Sequence, residues 1–321
     1  MLVVGAASRD VTEADPRGWR IGGAVTYGSL ALARLGLDVR ALVGADHDAG
    51  AADEIELLRD AGVDVEVLPL VSGPVFENIE RPAGRHQRSL AASSTIPVAG
   101  LPARWSGPLD GVLLATVAGE LKDAWASLAT ERTASVAGRR QIGLGWQGLL
   151  RDMSVGDDVR RRAPEASELL GAASLVAASR NDFEPGTDTA SLVSLLGRGA
   201  TLVLTEGVAG GVVVERAGDG VRIVERPYLA NPSDATVDPT GAGDVFLAAM
   251  LACRLQPSLS SEPDDVAEFA AAAAALTIEA PGLLGVPDVD AVRRRITRAP
   301  SRASRRPSTV SSLTRGRPSQ A

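Results

Sequence analysis

Near the C-terminal third of the chain, a run of small and acidic residues combines groups that could bind an anion and move a proton. The segment "DPTGAGDVFLAAML", residues 238–251, places Gly241, Ala242 and Gly243 directly before an apolar stretch with helical spacing. Glycines at a helix start let several backbone N–H groups converge on one anion, where the helix dipole also favours negative charge. Asp244, in the first turn, is placed to take a proton from a hydroxyl facing that anion. The pattern predicts phosphoryl transfer, with an Asp-capped turn as the alternative.

Composition restricts the chemistry further. The chain has 321 residues, 45% of them apolar, which is enough for one large α/β domain or two smaller ones, with a sizeable core either way. Lys122 is its only lysine, which rules out a lysine-containing P-loop. One cysteine permits no internal disulfide, and two histidines argue against a zinc site. No apolar run is long enough for a membrane span and no signal-peptide pattern begins the chain, so we expect a cytoplasmic protein.

Charge is distributed unevenly along the chain. The last 31 residues carry nine arginines and no acidic residue, so the net charge of −7 for the whole chain leaves −16 for the body. Such a body repels nucleic acid, and we expect neither a nucleic-acid nor a membrane partner. Residues 297–321 are rich in Arg, Ser and Pro without apolar periodicity, which predicts a disordered tail. Contact of this tail with an anionic partner is the alternative.

Short apolar runs alternate with helical patterns over most of the chain. Strand-like runs extend from "LVVGAA" at the N-terminus to "TLVLTEG" at 201–207, and helical patterns include residues 24–36, 187–197, 242–255 and 264–279. This alternation predicts a mostly parallel sheet covered by helices on both faces. Residues 74–96 break the rhythm with polar alternation around a "PAG" turn, which predicts a hairpin outside the main sheet.

The order of the motifs resembles the ribokinase/PfkB family of carbohydrate kinases over roughly residues 1–290. The segment from 238 is similar to the family's C-terminal motif, and "GGAVTYGSLALARLG" to its N-terminal glycine-pair motif. "NDFE", residues 181–184, resembles the N-x-x-E element, and "VLTEGVAGGVVV" the T-x-G-x-x-G stretch. The resemblance implies a ribokinase-like three-layer α/β/α sandwich over 1–290, with a small β lid from about 10–22 and 74–96.

The resemblance also implies roles at the donor end of a cleft. Gly241, Ala242 and Gly243 would form the anion hole, and Asp244 would be the catalytic base. ATP is implied as the donor together with Mg²⁺, an ion that keeps much of its hydration shell. The further residues implied are Asn181, Thr205, Gly207, Gly210, Asp238 and Thr240 for the cofactor, and Asn181, Glu184 and Asp238 for the metal.

At the acceptor end, the resemblance implies that Asp10, Gly22 and Gly23 bind substrate, with the two glycines also hinging the lid. Tyr27 is a further predicted substrate-binding residue, although it departs from the family pattern, because many sugar kinases carry a sugar-binding Asn at that position.

A second departure lies in the middle strand, where "GLGWQGLLR" lacks the family's acidic residue and offers Gln147 and Arg151 instead. Binding of substrate hydroxyls, binding of a substrate phosphate and a purely surface role for Arg151 all stay open. These stretches resemble a branch of the family that includes inositol-type kinases.

Three functions are open at this stage. The first is an ATP-dependent kinase acting on a hydroxyl of a sugar or sugar-like polyol, inositol included. The second is a nucleoside kinase of the same fold, disfavoured because only Phe76 and Tyr27 offer aromatic rings for stacking on a base. The third is a non-catalytic sugar-binding regulator, against which the intact Asp244, Asn181 and Glu184 argue.

The lid bears on self-association. Its outward positions include Glu77, Arg81 and Arg88, a polar set that suits an obligate interface poorly. The resemblance nevertheless allows both a monomer with a hinged lid and a homodimer through the lid, and we favour the homodimer.

Deletion of the residues after Thr297 removes no periodic apolar residue of the body. We therefore expect the melting temperature and the catalytic rate of the truncated chain to stay close to those of the full chain. Calorimetric unfolding and a steady-state assay test this expectation. A fall of many degrees in melting temperature would show instead that the tail docks on the acidic body.

Overall fold

The computed structural model describes residues 1–81, 84–136, 139–216, 222–260 and 262–298. Most of the predicted tail, from residue 299 onward, lies outside the described residues, as do Pro82 and Ala83 of the "PAG" turn.

Strands and helices alternate along the described chain. The strands are β1 (Leu2–Ala6), β2 (Ser8–Val11), β3 (Trp19–Gly22), β4 (Arg40–Ala45), β5 (Asp64–Pro69), β6 (Val75–Arg81), β7 (Gly84–Ala91), β8 (Gly111–Leu114), β9 (Ser135–Val136), β10 (Arg139–Gly145), β11 (Arg151–Asp152), β12 (Arg160–Arg161), β13 (Leu175–Ser179), β14 (Thr201–Thr205), β15 (Gly211–Arg216) and β16 (Ile223–Tyr228). The helices are α1 (Ala24–Arg34), α2 (His47–Gly50), α3 (Asp53–Asp60), α4 (Ala124–Arg132), α5 (Glu168–Ala172), α6 (Thr189–Ser194), α7 (Ala242–Leu255), α8 (Pro263–Thr277) and α9 (Val289–Arg298).

One large sheet organises the molecule. Its strand order is β16-β15-β14-β13-β10-β8-β1-β4-β5, with the short β9 paired to β10. The pairs from β5 to β14 along this order are parallel, whereas β15 and β16 are antiparallel to their neighbours. The chain leaves β1 first toward β4 and later returns on its other side at β8, so the strand order reverses at β1. In open α/β sheets, ligands bind at the carboxyl ends of the strands beside such a reversal.

Side chains of the central strands alternate between two separate cores. Val3 packs in one core with α1, α7 and α8, whereas Leu2 and Val4 pack in the other with α4, α5 and α6. This alternation follows from the two-residue period of a strand, and both faces are apolar because helices cover both. The predicted three-layer α/β/α sandwich is therefore confirmed.

Helix α7 lies at the centre of the first core. It packs against α1 and α8 and against the undersides of β10 and β13, and its residues from Val245 to Cys253 are all buried. Its sequence, "AGDVFLAAMLACRL", consists mainly of strong helix formers with small side chains that allow close packing on three sides. The buried body of α7 thus fixes its N-terminus against the edge of the sheet.

A second, four-stranded sheet has the order β3-β2-β6-β7 and forms the predicted lid. The two chain segments that form this sheet begin at Ser8 and Val75, close to the boundaries expected from the sequence. The outer edge of β7 is covered by residues 156–159: Gly156 N–H donates to Ser89 O, Ser89 N–H donates to Asp157 O, and Val159 N–H donates to Gln87 O. The segment between β11 and β12 thus extends the lid by one irregular strand.

Two features were not predicted from the sequence. Strands β15 and β16 form an antiparallel hairpin that extends the sheet, although their residues carry few uninterrupted apolar runs. Helix α9 packs on α8 with Val292 fully buried and continues to Arg298, so the packed body extends past residue 290. No helix in the described part of the chain is long and apolar enough to cross a bilayer.

Candidate active site

A cleft of about 500 Å³ opens at the carboxyl ends of the parallel strands, between the main sheet and the lid. The residues that follow β8, β10, β13 and β14 contribute to its lining, as does the N-terminus of α7. The lid contributes Asp10, Phe76, Asn78 and Gln87 from the opposite side. The structure therefore brings together at one cleft the segments in which the sequence predicted catalytic, donor and acceptor residues.

The loop before α7 forms a cradle of backbone groups. Gly241 has a φ of 80°, in the left-handed region that favours glycine, and a Cβ at this position would lie 2.2 Å from the ring of Tyr27. Nothing lies within 4 Å of the corresponding position at Gly243, so the space above that glycine is open. Pro239, Thr240, Gly241, Ala242, Gly243 and Asp244 all line the cleft. The first turn of α7 thus presents its N–H groups to the cleft, as an anion hole requires.

Asp244 lies at the floor of the cleft, half-buried, with its free surface facing the cleft. Burial raises the pKa of Asp244, the positive charge of Arg151 lowers it, and the carboxylates of Asp10 and Asp182 raise it; together they bring the pKa to about 7. A carboxyl group with that pKa is poised to accept a proton near neutral pH. The position and the pKa are those of a general base.

Asp238 does not line the cleft. Its Oδ1 accepts a hydrogen bond from Thr240 N, and its Oδ2 accepts hydrogen bonds from Gly282 N and from Arg20 Nη1. Burial raises the pKa of Asp238, but these hydrogen bonds outweigh burial and leave the pKa below its ordinary value. These hydrogen bonds hold the loop before α7 in place. They do not favour the predicted role of Asp238 in binding the donor and the metal.

At the donor end, the segment after β13 presents a carboxylate that the sequence analysis did not single out. Asn181 and Asp182 line the cleft, and Asp182 accepts hydrogen bonds from Ser179 N and from Gln147 Nε2. Glu184, the predicted metal residue, lies outside the lining with 75% of its side chain exposed, and the nearest guanidinium, that of Arg161, is 3.9 Å away. Asp182 is therefore the carboxylate that faces the cleft from this motif.

Of the other residues predicted to bind the donor after β14, two line the cleft and one does not. Thr205 and Gly207 line the cleft after β14. Gly210 lies behind them, with a φ of 94°, and a Cβ there would meet Tyr228 O at 2.1 Å. Gly210 therefore allows two backbone segments to approach and does not itself face the donor.

At the acceptor end, Asp10 and Gly23 line the cleft. Ser8 Oγ donates to Asp10 Oδ1, which fixes the direction of the carboxylate. Gly22 lies beneath this pair, and a Cβ there would meet Asp10 Oδ2 at 2.5 Å. Gly22 thus supports Asp10 from below, while Gly23, with a φ of 98°, begins α1.

The lid face that looks into the cleft carries residues that were not predicted to bind substrate. Asn78 and Gln87 stand opposite each other on β6 and β7, and Gln87 Nε2 donates to Asn78 Oδ1. Gln87 Oε1 and Ser89 Oγ are buried without a hydrogen-bond partner. Buried polar atoms are seldom left unpaired in folded proteins, and Gln87 lines the cleft, so its Oε1 is placed to bind a ligand. The alternation of polar residues on β6 and β7 was the sequence signal for them.

Gln147 and Arg151 both line the cleft. The Arg151 guanidinium lies 5.8 Å from the centre of the Phe76 ring, and its charge acts on Asp244. The place of Arg151 in the lining favours a role in the cleft over the surface role.

Tyr27 is not placed to touch an acceptor. Only 1% of the residue is exposed, it does not line the cleft, and its ring packs under Gly241. Burial raises the pKa of Tyr27, and the nearby carboxylates of Asp238, Asp10 and Asp244 raise it further. The prediction that Tyr27 binds substrate is corrected: the ring supports the anion-hole loop.

No group of three or more histidine, cysteine, aspartate or glutamate side chains in the described residues could hold a metal ion alone. Mg²⁺ in phosphoryl-transfer sites is commonly held by one or two carboxylates, by waters and by the phosphates themselves. Asp182 and Asn181 beside the open anion hole fit that mode of binding.

Residues 149–288 match the family model described as pfkB family carbohydrate kinase. A search of curated proteins found no match to the chain.

Solved structures with the same fold cover nearly the whole chain. A pyrophosphate-dependent kinase in the ribokinase family, complexed with a pyrophosphate analog and myo-inositol, is 18% identical with a TM-score of 0.68, covering 91% of this chain and 99% of that one. A nucleoside kinase of Methanocaldococcus jannaschii is 16% identical with a TM-score of 0.64, covering 93% and 98%. Ribokinase of Arabidopsis thaliana, complexed with ribose and ATP, is 17% identical with a TM-score of 0.60, covering 92% and 98%. The resemblance found in the sequence is therefore confirmed: the chain has the ribokinase-like fold, and its residues 149–288 match the model of the pfkB carbohydrate kinase family.

Proposed function

We propose that this protein is an ATP-dependent kinase that transfers the γ-phosphoryl group to a hydroxyl of a small, uncharged polyol, with an inositol or a sugar as the acceptor. One observation carries the proposal. Asp244, whose pKa lies at about 7, stands in the first turn of α7 directly after the open backbone cradle of Gly241, Ala242 and Gly243. A base and an anion hole side by side are what transfer between a hydroxyl and a phosphate requires.

The acceptor end of the cleft suits a polyol. Asp10, Asn78, Gln87 and Gln147 supply carboxylate and amide groups from several directions, and Phe76 supplies one apolar face. Amides both donate and accept hydrogen bonds, so they match hydroxyl groups in either role. A ring of hydroxyls would also satisfy the unpaired Gln87 Oε1.

The charges at this end disfavour a phosphorylated acceptor. Arg151 lines the cleft together with two carboxylates, Asp10 and Asp244, and its charge acts on Asp244. A second phosphate would need more positive charge than that arrangement leaves. The Arg151 guanidinium instead keeps the Asp244 carboxylate ionised close to neutral pH.

The transfer step follows from this geometry. Asp244 takes the proton of the acceptor hydroxyl as that oxygen forms a bond to the γ-phosphorus, and the bond to the bridging oxygen breaks with release of ADP. The N–H groups of the first turn of α7 stabilise the charge on the transferring group. Asp182 and Asn181 are the residues that would hold Mg²⁺, which when bound would neutralise charge on the donor phosphates.

The donor is proposed to be ATP, extending over Thr205 and Gly207. Pyrophosphate is the donor to compare with ATP, because one of the structurally similar kinases is pyrophosphate-dependent. A nucleoside acceptor is disfavoured because Tyr27 is buried under Gly241, which leaves Phe76 as the one aromatic ring among the cleft-lining residues of the described chain. A non-catalytic regulator would have no use for a carboxyl group with the raised pKa of Asp244.

Domain organisation and association remain proposals. We propose one kinase domain with its lid, followed by the Arg-, Ser- and Pro-rich segment, in a cytoplasmic homodimer formed through the lid. Because residues 156–159 cover the β7 edge, such a dimer would pack the outer lid face, which carries Glu77, Ile79 and Arg88. Light scattering at micromolar concentration tests it: a monomer mass that ATP analogue and acceptor do not change contradicts the dimer.

Replacement of Asp244 by Asn removes the proton acceptor and keeps the shape of the side chain. We expect kcat to fall by a factor of about 10² to 10⁴ while nucleotide affinity stays nearly constant. A panel of inositols, sugars and nucleosides, assayed with ATP and with pyrophosphate, measures the rates, and titration calorimetry measures nucleotide binding. Asp290→Asn, an exposed carboxylate on α9, serves as the matched control. Near-native turnover of the Asp244 variant would contradict the proposal.

The pKa of Asp244 also sets the pH dependence. Since Asp244 must be ionised to accept a proton, kcat/KM should rise with pH through about 7 and then level off. Arg151→Met removes the cation that lowers this pKa, so the rise should move to higher pH.

Profiles of kcat/KM against pH for the wild-type chain and for Arg151→Met measure the shift in the midpoint. Both profiles use the same donor, so the titration of the donor affects them equally. Arg162→Met, an arginine near Arg151 that pairs with Glu165 at 3.1 Å, should leave the profile unchanged. An identical midpoint in the Arg151 variant would remove Arg151 from the control of this pKa.

A further inference from the structure

Arg20 belongs to the lid strand β3, yet its side chain reaches the loop that forms the anion hole. Its Nη1 donates to Asp238 Oδ2 over 2.8 Å, between residues 218 positions apart in the chain. The two side chains are only 19% and 15% exposed. An ion pair so shielded is screened less by salt than a surface pair, and loss of one partner leaves the other charge uncompensated.

Asp238 joins three segments through its two carboxylate oxygens. Besides Arg20 on the lid, it accepts a hydrogen bond from Thr240 N at 3.0 Å and one from Gly282 N at 3.1 Å. Thr240 directly precedes Gly241, the left-handed residue at the start of α7. The direction of the Asp238 carboxylate therefore bears on the backbone that presents the anion hole.

The aliphatic part of the Arg20 side chain is also closely packed. A Cβ at Gly282, which has a φ of 55°, would lie 2.7 Å from Arg20 Cδ, so this glycine leaves the room that the arginine stem occupies. Arg20 also stands opposite Asp10 in the register of β2 and β3. Because directly opposed residues of an antiparallel pair share a face, Arg20 leaves the lid on the same side as the carboxylate that lines the cleft.

We propose that Arg20 is a positioning residue for phosphoryl transfer, which through Asp238 holds the anion-hole loop in its working geometry and couples it to the lid. Arg20 does not line the cleft, so it acts through Asp238 and not by touching the substrate. The proposal rests on the proposed function for its kinetic consequences, but its effect on the loop does not depend on the identity of the substrate.

Another arginine of the lid provides a matched control. Arg17 also carries lid-to-body ion pairing, through Glu54 on α3 at 2.5 Å, and it also pairs with Asp15. Arg17 makes no contact with the anion-hole loop among the hydrogen bonds and ion pairs of the described residues. Arg17→Met therefore loosens the lid without removing a contact of Asp238, and its one link to Arg20 among the ion pairs of the described residues is Asp15, whose Oδ2 lies 4.0 Å from Arg20 Nε.

The test compares Arg20→Met, Arg20→Lys and Arg17→Met by kinetics and by hydrogen–deuterium exchange. Arg20→Met should lower kcat about 10²-fold, the scale of a small misplacement of catalytic groups, with the acceptor KM changed by only a few fold. Backbone amides of residues 240–245 should exchange faster in the same variant. Arg20→Lys, which keeps the charge, should recover part of both, and Arg17→Met should change neither.

Asp238→Asn and the double variant complete a cycle. If Arg20 acts through Asp238, the double variant should lose little more rate than either single variant, because each single change already breaks the pair. Independent, multiplying losses would overturn the proposal. Unchanged exchange of residues 240–245 in Arg20→Met would overturn it as well, as would an equal loss of kcat in Arg17→Met.

The two proposals fail separately. A wild-type chain without kinase activity on any acceptor, with either donor, defeats the proposed function, while the exchange measurement still decides whether Arg20 holds the loop. Should Arg20→Met fail to fold, Arg20→Lys and Asp238→Asn carry the same exchange comparison against Arg17→Met.

Discussion

The close contact of Gly241 with the ring of Tyr27 is the constraint around which the site is arranged. A left-handed residue at this point ends the loop and lets α7 begin with its N–H groups facing the cleft. Any side chain in place of the hydrogen would meet the aromatic ring at 2.2 Å. Since the rest of α7 is buried between two helices and the sheet, the helix cannot shift to relieve such a clash. The anion hole is thus fixed by packing on one side and by hydrogen bonding through Asp238 on the other.

Electrostatic balance in the cleft follows from the same arrangement. Burial raises the pKa of Asp244, the Arg151 guanidinium limits that rise, and the carboxylates of Asp10 and Asp182 add to it. No lysine among the described residues lines the cleft, so in the proposed reaction stabilisation of the transferring group would fall to backbone dipoles and to a divalent ion. The body carries a net charge of −16, so a positive surface is not available to attract an anionic ligand. The local geometry of the backbone at the start of α7 serves that purpose instead.

The lid is built from segments that are distant in sequence. Strands β2 and β3 precede α1, β6 and β7 follow β5, and the segment between β11 and β12 covers the outer edge of β7. Covering an exposed edge removes the unpaired N–H and C=O groups that invite pairing with another chain. The same segment carries Arg151 into the cleft and Arg161 to the donor motif, where Arg161 Nε donates to Asn181 O. The short hairpin of β11 and β12 therefore contacts the acceptor end of the cleft, the donor end and the lid.

The sequence by itself determined the fold class, the parallel sheet and the position of the catalytic motif. These depend on local patterns: buried runs for strands, a 3.6-residue period for helices, and glycines with an aspartate where α7 begins. It also identified Asp10, Asn181 and Arg151, all of which reach the cleft. Tertiary structure alone decided that Tyr27 and Asp238 support the loop, that Asp182 and not Glu184 faces the donor end, and that Asn78 and Gln87 face the acceptor. The physical reason is that the direction of a side chain depends on what packs against it. Those neighbours, Gly241 for Tyr27 and Arg20 for Asp238, lie more than two hundred residues away in the chain.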